Sequence, residues 1–373
     1  MTENYKNQRM KKVLKILKYS IITIVVLILV FIAIVYIKSP GVADIVRNND
    51  GNIPKNSIST IVTIPVGEIQ QTIIIRGEDN TKPVLLFLHG GPGTPEFLLM
   101  KNIGLNLEQE FVVAYWEQRG SGKSYFKDIP AESMSLPQMI SDAVEVSKYL
   151  QIQFKQNKIY LMGHSWGTLL GTMLAYQHPS LFHSYIGIGQ IGHQYDGEKI
   201  SLNWIKKMAK SLKNKSDVEI INTLVLPDSL ANLQTWMDYF GPQRGFVNKY
   251  GGGMSHKKIN STKIYKTFLF DTPEYTFRNK INYSKGARFS KHLFDDVIQA
   301  NLIQEVDSIS IPVHIIQGIH DYMTPLKSAK DFFTQLKAPE KNFYQFDHSA
   351  HFPFIDEPYK FNKIIEKIVL GEK

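Results

Sequence analysis

No cysteine occurs in the 373 residues, so neither disulfides nor a thiolate zinc site can hold this chain together. The same absence leaves the redox compartment unread and keeps an extracytoplasmic location open. Internal repeats and low-complexity tracts are missing as well. So is metal-binding helical spacing among His178, His183 and His193; they read as ordinary surface residues, and neither metal nor cofactor is expected. Acidic side chains are scarce at one end. Residues 1–38 carry seven bases (Lys6, Arg9, Lys11, Lys12, Lys15, Lys18 and Lys38) against Glu3, a local charge of +6 out of +9 for the chain. The remaining +3 is ordinary for this length and gives no reason to expect a nucleic-acid partner. What the chain does have is 43% apolar residues, enough to fill one large domain with an insertion or two ordinary domains.

Directly after the basic cluster, residues 20–37 form a run with hardly anything more polar than Thr23, which as a helix spans ~27 Å, close to the hydrocarbon thickness of a bilayer. Tyr19 and Tyr36 stand where interfacial aromatics belong, and the lysine-rich side should stay in the cytoplasm. A cleaved signal peptide would have a shorter apolar region of ~7–15 residues and an Ala-x-Ala-like site, which does not follow here. A buried core helix would show a polar face, and none exists along the run. The expectation is a basic cytoplasmic N-terminus over residues 1–18, a retained single transmembrane helix over 19–37, and a linker over 38–57 containing Pro40, Gly41, Gly51 and Pro54. Everything beyond it then lies outside the cell membrane.

From Ser57 the pattern changes to short β-branched runs. Residues 58–66 and 69–75, separated by Gly67-Glu68, predict an antiparallel hairpin. Apolar strands are expected at 84–88, 111–116, 159–162 and 185–188, with helices at 97–107 and 139–152 between them; the second places Met139, Ile140, Ala143, Val146 and Leu150 on one face. Strand–helix alternation implies an α/β fold, a mostly parallel sheet flanked by helices. Between 192 and 300 the alternation gives way to helical pieces, the run Gly251-Gly252-Gly253, and tryptophans, tyrosines and lysines that look exposed. This stretch reads as an inserted, mainly helical cap between core segments 58–191 and 301–373. Alternation resumes with a strand at 313–317, a helix at 326–336, a strand at 342–346 and a closing helix at 357–369.

Gly163-His164-Ser165-Trp166-Gly167 sits between an apolar strand and a helical run. A tight strand-to-helix turn needs small residues on both sides of the serine, which Gly163 and Gly167 supply, and it lifts the hydroxyl above the sheet. A serine hydroxyl is a poor nucleophile at neutral pH, so a base and an acid to orient that base should follow on later strand ends. Asp321 lies in the loop after the strand at 313–317, and His351 in the loop after the strand at 342–346. Asp321 could instead serve a helix start ahead of Pro325, and His348 competes with His351, which is preferred because it lies further into its loop. His164 is expected to point away from the bend and pack.

His89-Gly90-Gly91-Pro92-Gly93 follows the strand at 84–88. Gly91 is the expected oxyanion-hole amide of this loop, with the Trp166 amide as its partner; Pro92 would fix the turn, with the cis form open to it. A phosphate cradle would need a Lys-Ser/Thr ending, and Gly120-Ser121-Gly122-Lys123-Ser124 imitates that ending without the matching upstream glycine.

With these residues assembled, the chain resembles the α/β-hydrolase superfamily and, within it, the prolyl aminopeptidase (proline iminopeptidase) family of serine peptidases. The resemblance rests on residues 89–93, on Glu117-Gln118-Arg119-Gly120-Ser121-Gly122-Lys123-Ser124, on Ser165-Trp166-Gly167, and on the Asp321 and His351 loops. It covers roughly 60–190 and 300–370 and leaves the cap unmatched. The family pattern has Gly-Gly-Ser-Trp-Gly and Asp-Gln-Arg-Gly, from which His164 and Glu117 depart. The resemblance implies a serine hydrolase with Ser165, Asp321 and His351 as its catalytic set, releasing N-terminal residues from short peptides. Family members bind the substrate's free amine with acidic cap residues; the acids in this cap are Asp196, Glu198, Asp217, Glu219, Asp228 and Asp238, and Glu96, just past the oxyanion loop, is a further candidate. An esterase or lipase-like acyl hydrolase at the membrane surface is the alternative enzyme, and a catalytically silent binding protein on the same fold is the alternative from another class.

Overall fold

The computed structural model describes residues 2–102, 105–257 and 261–371. Its centre is a sheet built from the short apolar runs: β1 (Ile58–Val66), β2 (Ile69–Gly77), β3 (Val84–Leu88), β4 (Val112–Glu117), β5 (Ile159–His164), β6 (Phe182–Ile188), β7 (Val313–Gly318) and β8 (Lys341–Phe346). Their spatial order is β1-β2-β4-β3-β5-β6-β7-β8. The β1–β2 and β2–β4 pairs are antiparallel and all later pairs are parallel. β3 is wholly buried, as a central parallel strand covered on both faces must be.

Helices supply the crossovers. The first half holds α1 (Thr2–Ile37), α2 (Phe97–Asn102), α3 (Leu107–Glu110), α4 (Leu136–Phe154) and α5 (Trp166–Gln177). α4 begins where the Ser135 side chain accepts from the Gln138 N–H and ends at Lys155 in a left-handed conformation. Its buried face, Met139, Ala143, Val146 and Leu150, packs with Leu86 and Leu161 on one side of the sheet. On the other side Leu85, Phe87 and Met162 pack with Phe361 and Ile365 of the closing helix.

Between β6 and β7 run α6 (Gln194–Ser211), α7 (Lys215–Asn222), α8 (Leu233–Lys249), α9 (Ser261–Phe270), α10 (Phe277–Phe289), α11 (Phe294–Gln299) and α12 (Leu302–Glu305). After β7 come α13 (Leu326–Gln335), α14 (Pro353–Asp356) and α15 (Pro358–Leu370). The helices over 194–249 have a core of their own around Ile205, Trp236 and Val247.

Four local expectations change. The helix expected over 97–107 is two short pieces, α2 and α3, with residues 103–104 outside the described residues. The cap aromatics are not all exposed: Trp236 is fully buried, and Trp204 stacks on Tyr322 with centroids 3.9 Å apart. Segment 38–57 is docked on the body, with Val46 buried, the Arg76 guanidinium donating to the Asp44 carbonyl at 2.7 Å and Lys101 pairing with the Asp44 carboxylate at 2.8 Å. Finally, α1 extends well before residue 19, and its 33-residue stretch Tyr5–Ile37 is long and apolar enough to cross a membrane.

Candidate active site

The turn between β5 and α5 places Ser165 at φ 55°, ψ −120°, a left-handed conformation in a residue that is not glycine. The crowding that demands small neighbours is measurable. A methyl group on Gly163 would stand 2.2 Å from the Gly167 carbonyl oxygen, and one on Gly167 would stand 2.1 Å from the Leu88 carbonyl oxygen. The Ser165 N–H is tied to the Ile188 carbonyl at 2.9 Å, which fixes the bend to the end of β6.

The loops after β7 and β8 bring Asp321 and His351 together, with His351 Nδ1 2.8 Å from Asp321 Oδ2. His348 is elsewhere, its backbone N–H on Glu357. Asp321 also organises its own turn: Oδ1 accepts from the Met323 and Thr324 N–H groups, and Oδ2 from the Thr324 hydroxyl and the Gln317 amide. Burial pushes this carboxyl up, but the His351 ring and the Thr324 bonds outweigh it and hold Asp321 below the usual carboxylate range. Since Nδ1 faces a carboxylate, it carries the ring proton and Nε2 is left as the basic nitrogen.

Ser165 and His351 line one cavity of ≈ 220 Å³ together with Gly91, Trp166, Ile191, Gln194, Phe240, Arg244 and further apolar cap residues. Among the described residues no hydrogen bond joins the Ser165 hydroxyl to the His351 ring. The Gly91 and Trp166 N–H groups likewise have no acceptor among the described residues, and both residues stand on the cavity wall. Gly91 has φ 114° and is followed by a cis bond to Pro92. Gln118 holds the two amide-bearing loops in register: its side-chain N–H donates to the His89 carbonyl at 3.0 Å, and its side-chain oxygen accepts from the Trp166 indole at 2.9 Å. His89 is buried against Ser121, and burial lowers its pKa to about 4, so the ring is neutral near pH 7.

Glu96, the candidate amine partner, lies outside the cavity lining. It is buried, and its Oε1 binds His164 Nδ1 at 2.7 Å. His164 does point away from the bend, but it does more than pack: its Nε2 reaches the His351 carbonyl at 2.9 Å. None of the cap acids lines the cavity either. Glu198 pairs with Arg244, Asp217 with Lys249 and Tyr250, and Asp196 with Lys199 and His193. Among the described residues, no group of three or more His, Asp or Glu side chains could hold a metal ion.

Comparison with known proteins identifies the family. A family model described as alpha/beta hydrolase fold matches residues 83–224. A protein named "Probable aminopeptidase YbaC" from Bacillus subtilis (strain 168) is 35% identical over 314 residues, 84% of this chain and 97% of that one. The chain belongs to the α/β-hydrolase family. Proline iminopeptidase of Mycobacterium smegmatis superposes on this α/β-hydrolase with a TM-score of 0.60 at 18% identity, over 84% of this chain and 98% of that one. A membrane phospholipase A, described as a bacterial virulence factor, superposes with a TM-score of 0.57 at 14% identity, over 98% of this chain and 99% of that one. The two solved structures speak to the fold, while the aminopeptidase-named relative supports a hydrolase of peptidase-like function.

Sequence reading missed two supports of this α/β-hydrolase site. The Glu96–His164 contact spans 68 residues, and no local pattern signals it. The glycine run of the cap was visible, and its use is structural: the Gly252 carbonyl accepts from the Tyr322 N–H, and the Gly253 carbonyl from the His351 N–H, at 2.9 and 3.0 Å. One cap segment therefore braces both the Asp321 and the His351 loops.

Proposed function

We propose that this α/β-hydrolase is a serine hydrolase of the aminopeptidase type, releasing N-terminal residues from short peptides through an acyl-enzyme. The observation that carries the reading is the convergence of Ser165, the Asp321-bound His351 ring and the unengaged Gly91 and Trp166 amides on one cavity. Ser165 Oγ attacks the scissile carbonyl as His351 Nε2 takes its proton, and the carbonyl oxygen gathers negative charge between the two amides. His351 then gives that proton to the leaving amine, and water, activated by the same ring, releases the acyl group from Ser165. Asp321 keeps the ring in the required tautomer throughout. The enzyme is held to the cell membrane by α1, with residues 1–18 in the cytoplasm and the hydrolase outside. A fluorophosphonate probe tests the nucleophile: wild type should be labelled and Ser165→Ala spared, and equal labelling of both would remove Ser165 from its role.

One observation favours a second reading, hydrolysis of acyl esters. Among the described residues lining the cavity there is no carboxylate to receive a substrate's free amine; the charged side chain there is Arg244, itself held by Glu198. Turnover of amino-acid arylamides against short acyl esters separates the two. A preference for esters by orders of magnitude would displace the peptidase reading.

A further inference from the structure

Two features outside the site meet on one face of the cap. The first is the place where α1 touches the rest of the chain. Phe31 and Phe270, the last residue of α9, meet edge-on with ring centroids 6.0 Å apart. Phe31 precedes the end of α1 at Ile37 by six residues, ~9 Å along the axis. The chain leaving α1 stays on the same segment: Pro40 forms a β-bridge with Thr276, and the Gly41 and Val42 N–H groups both donate to the Pro273 carbonyl, at 2.8 and 3.0 Å. Residues 270–276 are thus pinned to the outer end of α1. If α1 spans a bilayer, the Phe270 ring sits below the level of Ile37, and α9 and the start of α10 lie in the interfacial layer.

The second feature begins two residues past Thr276. Arg278, Ile281 and Lys285 recur on one face of α10 and, with Phe126, Lys127 and Asp128, line a groove of ≈ 500 Å³. Lys123 also lines it, but its ammonium is committed to the Glu274 carbonyl at 2.8 Å. Among the described residues Lys127, Arg278 and Lys285 form no ion pair, and Asp128 is the groove's one acid. Phe126 and Ile281 are 37% and 44% exposed beside these charges. Unpaired cations next to exposed apolar side chains suit a phosphate at the depth of lipid headgroups, with the ring and the branched chain against glycerol and upper acyl carbons.

We propose that this face of the cap docks on the outer surface of the bilayer that holds α1, and that the groove takes the phosphate of an anionic phospholipid. The proposal rests on reading α1 as a membrane anchor, and the test separates the two. Because the chain has no cysteine, one introduced thiol gives one label per molecule. Full-length protein in nanodiscs would carry a fluorophore at Ile28→Cys in α1, Tyr265→Cys on α9, Ser284→Cys on α10, or Ile152→Cys at the end of α4, just ahead of the first residues of β5. Lipids bearing nitroxides on the acyl chain or the headgroup serve as quenchers. Acyl-chain quenching at position 28, headgroup quenching at 265 and 284, and none at 152 are expected. At 284 the quenching should be about threefold stronger in phosphatidylglycerol than in phosphatidylcholine discs. Reversing Lys127, Arg278 and Lys285 to Glu should abolish that preference and leave position 28 unchanged. An unquenched position 28 overturns the anchor. Quenching at 28 without quenching at 265 and 284 overturns the docked cap alone. A preference kept in the charge-reversed variant overturns the lipid-binding groove.

Discussion

His164 and Glu96 form a buried hydrogen-bonded pair directly behind the candidate nucleophile, with His164 Nδ1 and Glu96 Oε1 2.7 Å apart. Burial alone would lower the imidazole's pKa, but the Glu96 charge and the hydrogen bonds its nitrogens donate to Glu96 and the His351 carbonyl raise it above the usual value. The ring joins three loops: the Gly91-bearing loop through Glu96, the Ser165 turn through its own backbone, and the His351 loop through the His351 carbonyl.

Removing one member of this pair should cost far more than removing both. His164→Leu leaves Glu96 as a buried carboxylate with neither oxygen bound, since Oε2 has no partner among the described residues. The loss expected for such a broken pair is about 3–5 kcal/mol. The double variant His164→Leu/Glu96→Leu should recover most of it, which urea unfolding of the four proteins in detergent micelles would measure as a coupling energy.

Asp321→Asn probes orientation of the proposed base while keeping the Oδ1 half of the turn around Asp321. An amide can still accept the Met323 and Thr324 N–H groups at Oδ1, but in place of Oδ2 it presents a donor to His351 Nδ1, which favours the wrong tautomer, and to the Gln317 amide, which loses an acceptor. For the proposed mechanism kcat should fall by ~10⁴, and loss of the Gln317 contact should lower stability by about 1–3 kcal/mol. Steady-state turnover alongside thermal melting checks both halves of that expectation.

The strands and site loops were legible because their signals are local. β3 is a five-residue apolar run, β1 and β2 are β-branched runs around Gly67-Glu68, and Ser165 announces its turn through glycines two residues away on either side. What escaped depends on partners distant in sequence. Trp236 looks like a surface residue until Ile205 and Val247 close over it, and Pro40 looks like tether until it meets Thr276. The His164–His351 contact joins residues 187 positions apart, which neither periodicity nor composition can register.

Gly167→Ala should damage turnover by a steric route. Its methyl would come within 2.1 Å of the Leu88 carbonyl oxygen, a backbone atom that cannot swing aside, and Leu88 leads directly into the His89-Gly90-Gly91 loop. Relief requires the loop bearing the Gly91 amide to shift relative to Ser165. Misplacement on the order of 1 Å typically costs ~10² in rate, so acyl-ester turnover should drop by at least that factor. Fluorophosphonate labelling should slow in parallel, and unchanged labelling would show that the turn tolerates the methyl.

Glu117 ties a stability change to pH. The carboxyl is fully buried, with one oxygen on the Tyr275 hydroxyl and the other on the Lys123 N–H, and burial raises its pKa to about 6. Because the folded value exceeds the unfolded one, the native chain holds the extra proton. Its contribution to stability is present below pH ~4.5 and is lost as pH rises through about 6, a difference of roughly 2 kcal/mol. Glu117→Gln keeps an acceptor for the Lys123 N–H and offers its amide N–H to the Tyr275 oxygen, so it mimics the protonated acid at every pH. The variant should match wild type near pH 4.5 and exceed it by roughly 2 kcal/mol above pH 6.5. His89 titrates in the same window with the opposite sign, its lowered pKa removing stability as pH falls, but it is common to both proteins and cancels in the difference. Thermal unfolding of the pair across pH 4.5–7.5 reads that difference directly, and a constant offset between the two curves would show that Glu117 is ionised throughout.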